Sequence, residues 1–252
     1  MTPDGDGAGS ASQASPSIPS GGLAVVIGAT GGIGEALSAQ LRVDPRFSRT
    51  LALSRSALAP DSIHLDLTLE ASIKDAAATV AALHLPLRLV VVATGFLHGH
   101  GHQPEKALRQ LDAAHLQHAF AVNVIGPALV MKHFLPLLAP QGKSVFAALS
   151  ARVGSIGDNH LGGWYSYRTC KAALNQMLHT AAVELKRSRP DALCVLLHPG
   201  TVATRLSSPF AKTGLNVRPA REAATDLLTV LAGLNPADSG CLIDYQSQKL
   251  PF

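Results

Sequence analysis

Charge is scarce in this chain. Asp, Glu, Lys and Arg make up 15% of 252 residues, and Lys+Arg minus Asp+Glu is 21 − 17 = +4. That balance is thin for the length, although the sequence pI is near 9.1. Aromatic residues reach only 4%, and no dense Lys/Arg block is interleaved with them. Nucleic-acid binding needs concentrated cations for phosphate and stacking platforms for bases, so no nucleic-acid partner is expected. Cysteine is limited to Cys170, Cys194 and Cys241, an odd number at wide spacing with no CxxC. A disulfide framework is therefore not expected, and a reducing, cytoplasmic setting is. Long apolar runs are missing too: a stretch such as 89–93 is far too short to span a bilayer, so no membrane partner is expected. The N-terminus carries Asp4 and Asp6 with no apolar core, unlike a secretory signal.

Apolar residues are plentiful at 47%, enough to bury a core within one domain of this length. Residues 1–20, rich in Gly, Ser, Ala and Pro, have little that can pack and read as a disordered tail. Residues 21–252 read as a single domain. Short apolar runs at 23–27, 50–54, 63–65, 87–93, 144–149, 192–197 and 241–245 predict about seven strands. Helical spacing fits about 33–42, 70–83, 112–138, 165–188 and 219–234. The strand runs are continuously apolar instead of alternating, which means burial on both faces. The fold class is therefore α/β, a doubly wound parallel sheet covered by helices. The Gly- and His-rich segment 95–111 reads as a loop at the sheet's edge.

Three motifs carry chemistry. Gly28-Ala29-Thr30-Gly31-Gly32-Ile33-Gly34 follows the first strand and opens the first helix in a GxxxGxG spacing. Residues without Cβ let the chain turn tightly and let a pyrophosphate approach the helix N-terminus, where free N–H groups and the dipole favour anions. No Lys-Ser/Thr pair follows the last glycine, so this is not a P-loop. The second strand ends Leu53-Ser54-Arg55, with a cation where an NAD site places a carboxylate. Arg55 suits the 2′-phosphate of NADP(H). Tyr167 and Lys171, four residues apart, share a helix face. A phenol titrates near 10, and a neighbouring ammonium would lower it toward useful general acid–base work on a carbonyl or alcohol.

Jointly these motifs resemble the short-chain dehydrogenase/reductase family over roughly residues 22–252, and so imply its Rossmann fold. The resemblance extends to Asp66-Leu67, an adenine-contacting pair, and to Ala93-Thr94-Gly95, which stands where the family has Asn-Ala-Gly. It implies that Asn123 holds a water in a proton relay. It also implies that Pro199, Gly200, Val202 and Thr204 of Pro-Gly-Thr-Val-Ala-Thr clasp the nicotinamide, and that Lys171 binds its ribose. The segments 149–156, 162–168 and 198–201 are similar to the C-factor and sniffer-like carbonyl reductase branch. An NADP(H)-dependent reductase of a small apolar carbonyl substrate is implied, with relatives pairing through helices 112–138 and 165–188 as homodimers or homotetramers.

The pattern departs at the serine that polarises the substrate carbonyl. Its expected position, three before Gly154, is Ala151; Ser150 is the candidate and Ser155 the reserve. Neighbours on an extended strand point to opposite sides, so Ser150 replaces Ala151 only if the strand has ended or bulged. The departure leaves open a second reading, an NADP(H)-binding regulatory or signalling protein with little turnover. Tyr165, six before Lys171, faces elsewhere and reads as lining or packing. Cys170 reads as packing on the cofactor side. His98, His100 and His102 read as a solvated lip of the cleft and not as a metal site, since glycines separate them and no other ligand is near in sequence. Trp164, Leu206, Phe210 and Leu215 are expected to line an apolar substrate pocket.

Overall fold

The structure, a computed structural model, describes residues 17–56, 62–99, 101–210 and 216–252. One sheet organises them. In chain order its strands are β1 (Gly22–Ile27), β2 (Phe47–Ser54), β3 (Ser62–His64), β4 (Leu87–Val92), β5 (Ser144–Leu149), β6 (Ala192–His198), β7 (Leu242–Asp244) and β8 (Lys249–Leu250). Their spatial order is β3-β2-β1-β4-β5-β6-β7-β8, parallel throughout except for β8, which pairs antiparallel with β7. The two-residue β8 has no apolar run to announce it. The helices are α1 (Gly32–Leu41), α2 (Glu70–Ala81), α3 (Ala113–Phe120), α4 (Gly126–Phe134), α5 (Tyr165–Ser188) and α6 (Ala220–Gly233).

Period-2 alternation explains the two-sided core. In β1 every residue is buried: Leu23, Val25 and Ile27 join the cluster under α2, α4 and α5, while Ala24 and Val26 join the opposite cluster under α1 and α6. Full burial of each such Val, Leu or Ile contributes about 1.5–3 kcal/mol. Ile18 is also buried, in the α1/α6 cluster. Packing therefore starts inside the stretch assigned to the tail; residues 1–16 lie outside the described residues.

Strand order reverses between β1 and β4, and the crevice at the carboxyl ends of these strands is where ligands bind in such sheets. The segment after β4 is thus not at the edge: β4 pairs with β1 and β5, and the 95–111 loop rises over the middle of the sheet. The 112–138 run is not one regular helix. A π-turn, Ala121–Ile125, separates α3 from α4, with the Gly126 N–H donating to the Ala121 carbonyl. Pro127 lacks an N–H, so the Asn123 carbonyl has no i+4 donor. The Asn123 amide takes up the Ala119 carbonyl at 3.0 Å. By length and composition 113–137 could cross a membrane, yet Ala119, Asn123, Val130, Met131 and Phe134 are buried against the rest of the chain.

Candidate active site

A continuous cleft crosses the carboxyl edge of the sheet in two lobes of about 340 and 350 Å³, which share Gly31, Ala93, Thr94, Gly95 and Arg205. The glycine turn forms its floor. Gly28 has φ +87°, and a Cβ there would sit 2.7 Å from the Thr94 methyl. At Gly34 a Cβ would sit 2.2 Å from the Gly28 carbonyl oxygen, so only glycine lets α1 lie this close to the strand it follows. No side chain caps α1 at Gly31. Its first N–H groups and positive dipole end face the cleft, an arrangement that suits an anion. Thr94 Oγ1 is buried in the same place with no partner.

The second lobe gathers Gly28, Thr30, Ser54, Arg55, Asp66 and Leu67 as expected. Asp66 accepts from the Thr68 N–H at 2.8 Å and its hydroxyl at 2.7 Å, bonds that hold its carboxyl below the usual range. Ser54 Oγ donates to the Ser56 carbonyl at 2.9 Å, folding the chain just past Arg55.

The first lobe brings together Gly32, Ile33, Ser150, Tyr167, Lys171, Pro199 and Thr204. Lys171 Nζ lies 5.6 Å from the centre of the Tyr167 ring and donates to the Leu149 carbonyl at 2.9 Å. The expected lowering of the phenol by this ammonium is not what the structure holds. Burial dominates, with Cys170 adding to it, and pushes the Tyr167 phenol above its ordinary value. Burial likewise brings Lys171 down to about 8. At neutral pH the pair is a protonated phenol beside an ammonium, a state ready to give a proton.

Ser150 follows β5 on extended chain, its N–H donating to the Leu197 carbonyl at 2.8 Å. It lines the lobe, but its hydroxyl donates to Asn175 Oδ1 at 2.6 Å. Ala151 continues extended, at φ −153° and ψ 150°, so the two side chains diverge. Ser155 is buried away from the cleft, where its hydroxyl accepts from the Asp158 N–H.

Asn123 stands one layer behind. It accepts from the Phe96 N–H at 2.9 Å and donates to the Phe96 carbonyl at 2.8 Å, so it braces the wall just beyond Gly95. Gly34, Gly200 and Val202 do not line the cleft. Gly200, at φ +75°, lies under the Tyr245 ring, and Val202 is buried and paired with Arg218. Cys170 is buried with Ala119 and Val124, on the side of the π-turn and not on the cofactor side.

Sequence reasoning missed several lining residues: Phe96, Leu149 and Arg205 among them. His98 is more than a solvated lip. Its Nε2 reaches the carbonyls of Arg205 and Leu206 at 3.2 and 3.1 Å, tying the loop after β4 to the loop after β6. Of the residues expected to line the substrate pocket, Leu206 lines the lobe; Trp164 and Phe210 do not, and Phe210 meets Trp164 and His98 edge-on. Trp164 in turn meets the Tyr167 ring edge-on at 6.3 Å. His102 stacks on His115 instead of joining His98. His100 and Leu215 lie outside the described residues.

This is an α/β protein of the dinucleotide-binding fold type, with a tyrosine–lysine pair in its switch-point cleft. It belongs to the short-chain dehydrogenase/reductase family of oxidoreductases: the family profile described as enoyl-(acyl carrier protein) reductase matches residues 37–226, well over half of the chain. The match begins past the glycine turn, whose assignment rests on its own geometry. The C-signal of Myxococcus xanthus is 37% identical over 147 residues, 58% of this chain and 84% of that protein. The 1-hydroxy-2-glutathionyl-2-methyl-3-butene dehydrogenase of Rhodococcus sp. (strain AD45) is 35% identical over 130 residues, 52% of this chain and 55% of its own length. Among solved structures, an NADPH-bound carbonyl reductase from chicken fatty liver superposes with a TM-score of 0.81 at 24% identity, covering 93% of this chain and all of that one. The carbonyl reductase Sniffer of D. melanogaster gives 0.78 at 20% identity, covering 92% and 100%. At such identities these structures share the fold.

Proposed function

We propose that this chain is an NADP(H)-dependent oxidoreductase that reduces a carbonyl group on a small apolar substrate. The observation that carries the reading is the single cleft in which an uncapped helix N-terminus, Arg55 and the Tyr167–Lys171 pair are lined up. The residues fit the dinucleotide: the glycines let the α1 N-terminus pack tightly against the end of β1 at the cleft floor, and the Thr94 hydroxyl lacks a partner that a bound nucleotide would supply. Neighbours of the same fold hold NADPH or NADP. Arg55 would take the 2′-phosphate, the α1 N-terminus with Thr30 to Ile33 the pyrophosphate, Asp66-Leu67 the adenine, and Pro199 with Thr204 the nicotinamide end.

When bound, NADPH supplies the hydride. Tyr167 holds the proton that the reduced carbonyl oxygen needs, kept in place by the burial that disfavours phenolate. Lys171 stabilises the phenolate left behind, an electrostatic effect strengthened by the enclosed setting. Asn123 fixes the 95–96 wall, and Phe96, Leu149 and Leu206 supply an apolar lining for the substrate. Ser150 has its one donor committed to Asn175, so polarisation of the carbonyl falls chiefly to Tyr167.

A direct test is the affinity for NADPH and NADH in wild type and Arg55→Ala. The expected result is tighter NADPH binding in wild type and loss of that preference in the variant. Equal affinities in wild type would overturn the assignment. A second reading, nucleotide binding without turnover, is favoured by Ala151 and by the likeness to C-signal. It requires tight NADPH binding with no reduction of any carbonyl.

A further inference from the structure

Helix α5 carries Tyr167 and Lys171, yet it has no cap of its own. It opens after Trp164, which is left-handed at φ 52° and makes no side-chain bond to the first turn. The cap comes from 61 residues upstream. Glu105, 2% exposed, accepts from the Ser166 N–H at 3.2 Å through Oε2 and from the Ser166 hydroxyl through Oε1. Its main-chain carbonyl accepts from the Trp164 N–H at 2.5 Å. A carboxylate at this end of a helix also meets the favourable end of the dipole.

The same carboxylate is tied to the other side of the site. His115 Nδ1, on α3, lies 3.3 Å from Glu105 Oε1, and both side chains are buried. The His102 ring stacks on His115 at 4.6 Å and 10°, and Phe96 meets His115 edge-on. Asp112 caps α3 by accepting from the His115 N–H at 2.7 Å. Helix α3 leads into the π-turn that holds Asn123. Glu105 therefore touches both helices that converge on the reacting end of the cleft.

We propose that Glu105 is a positioning residue: through Ser166 and His115 it sets the distance between the helix bearing Tyr167 and the helix leading to Asn123. Ser166 is the residue before Tyr167, so a shift of the first turn of α5 moves the phenol directly. Misplacing a reacting group by about 1 Å can cost on the order of a hundredfold in rate. On the proposed reading most of the dinucleotide would be held by the β1–α1 turn, the end of β2 and the loop after β6, so its affinity is expected to depend little on this strut.

The inference rests on the reading of Tyr167 as proton donor. Its test is kcat per NADPH-binding site, together with NADPH affinity, in Glu105→Ala, Glu105→Gln, Ser166→Ala and Tyr167→Phe. Glu105→Ala is expected to lose kcat by about a hundredfold with NADPH affinity unchanged, and Glu105→Gln, which keeps an acceptor for the Ser166 N–H, to recover most of it. Ser166→Ala, which keeps the N–H bond but loses the hydroxyl bond, is expected between the two and decides the matter where Glu105→Ala does not fold. Wild-type kcat per site in these variants, or loss of kcat and NADPH affinity in parallel, would overturn the proposal. Turnover retained in Tyr167→Phe would instead sink the functional reading beneath it.

Discussion

In the proposed reaction the half-buried Tyr167 phenol keeps its proton and the buried Lys171 ammonium gives its proton up early. The Lys171 value is depressed to about 8, so its charge is fully present below that pH and lost above it. Carbonyl reduction as proposed would need a protonated Tyr167 and a charged Lys171. Its kcat is therefore expected to be level below pH 8 and to fall as the pH rises through it; alcohol oxidation should slope the other way. A reduction profile flat well past pH 8 would contradict this. Ser150 provides a second test at this scale. Removing a free oxyanion donor costs on the order of a hundredfold or more, but the Ser150 hydroxyl is engaged by Asn175, so Ser150→Ala is expected to lose less than about tenfold in kcat. Tyr167 and Lys171 were legible because a four-residue spacing declares a shared face. The sign of the tyrosine shift was not, because burial depends on chain segments distant in sequence. The tie that His98 makes and the part played by Glu105 were equally invisible: each acts through a partner distant in sequence, 107 and 61 residues away.

Strand β1 and helix α1 meet where Gly34 faces the Gly28 carbonyl. Gly34→Ala is expected to lower stability by about 2 kcal/mol or more, since neither backbone can retreat, and to weaken NADPH binding by tilting the α1 N-terminus. Thermal unfolding and a nucleotide titration would read the two effects. Unchanged values for both would refute the packing argument. Most elements were legible from periodicity: continuous apolar runs marked the strands, and α5 matches the expected 165–188. The break inside 112–138 was hidden because apolar spacing carries on across it. Its one sequence signal is Pro127, four residues after Asn123, which removes the helical partner of that carbonyl.

At the scale of the whole molecule, the sheet order places the cleft and leaves one broad face unused. Helices α4 and α5 border a groove of about 730 Å³ that includes Met131, Leu135, Met177 and Leu185, with Met177 45% exposed. Self-association through this face, as the sequence resemblance implies, would place two clefts in one particle. The expected solution mass is that of a dimer or tetramer, and Met177→Glu should shift it toward the monomer; a monomeric wild type would contradict this. Strand order itself was not legible, because periodicity says which runs are strands and not which neighbours they choose; hence the expectation that 95–111 lies at the sheet's edge.

In the proposed function one cleft binds NADP(H) and presents a proton from Tyr167 to a carbonyl. Its most direct test is NADPH oxidation over a panel of carbonyl compounds, with product alcohol and nucleotide affinity measured alongside, in wild type and Tyr167→Phe. Matched NADPH loss and alcohol formation in wild type are expected, abolished in Tyr167→Phe while NADPH affinity is retained. Turnover that survives in Tyr167→Phe, or a wild type that binds neither nucleotide, would contradict the account.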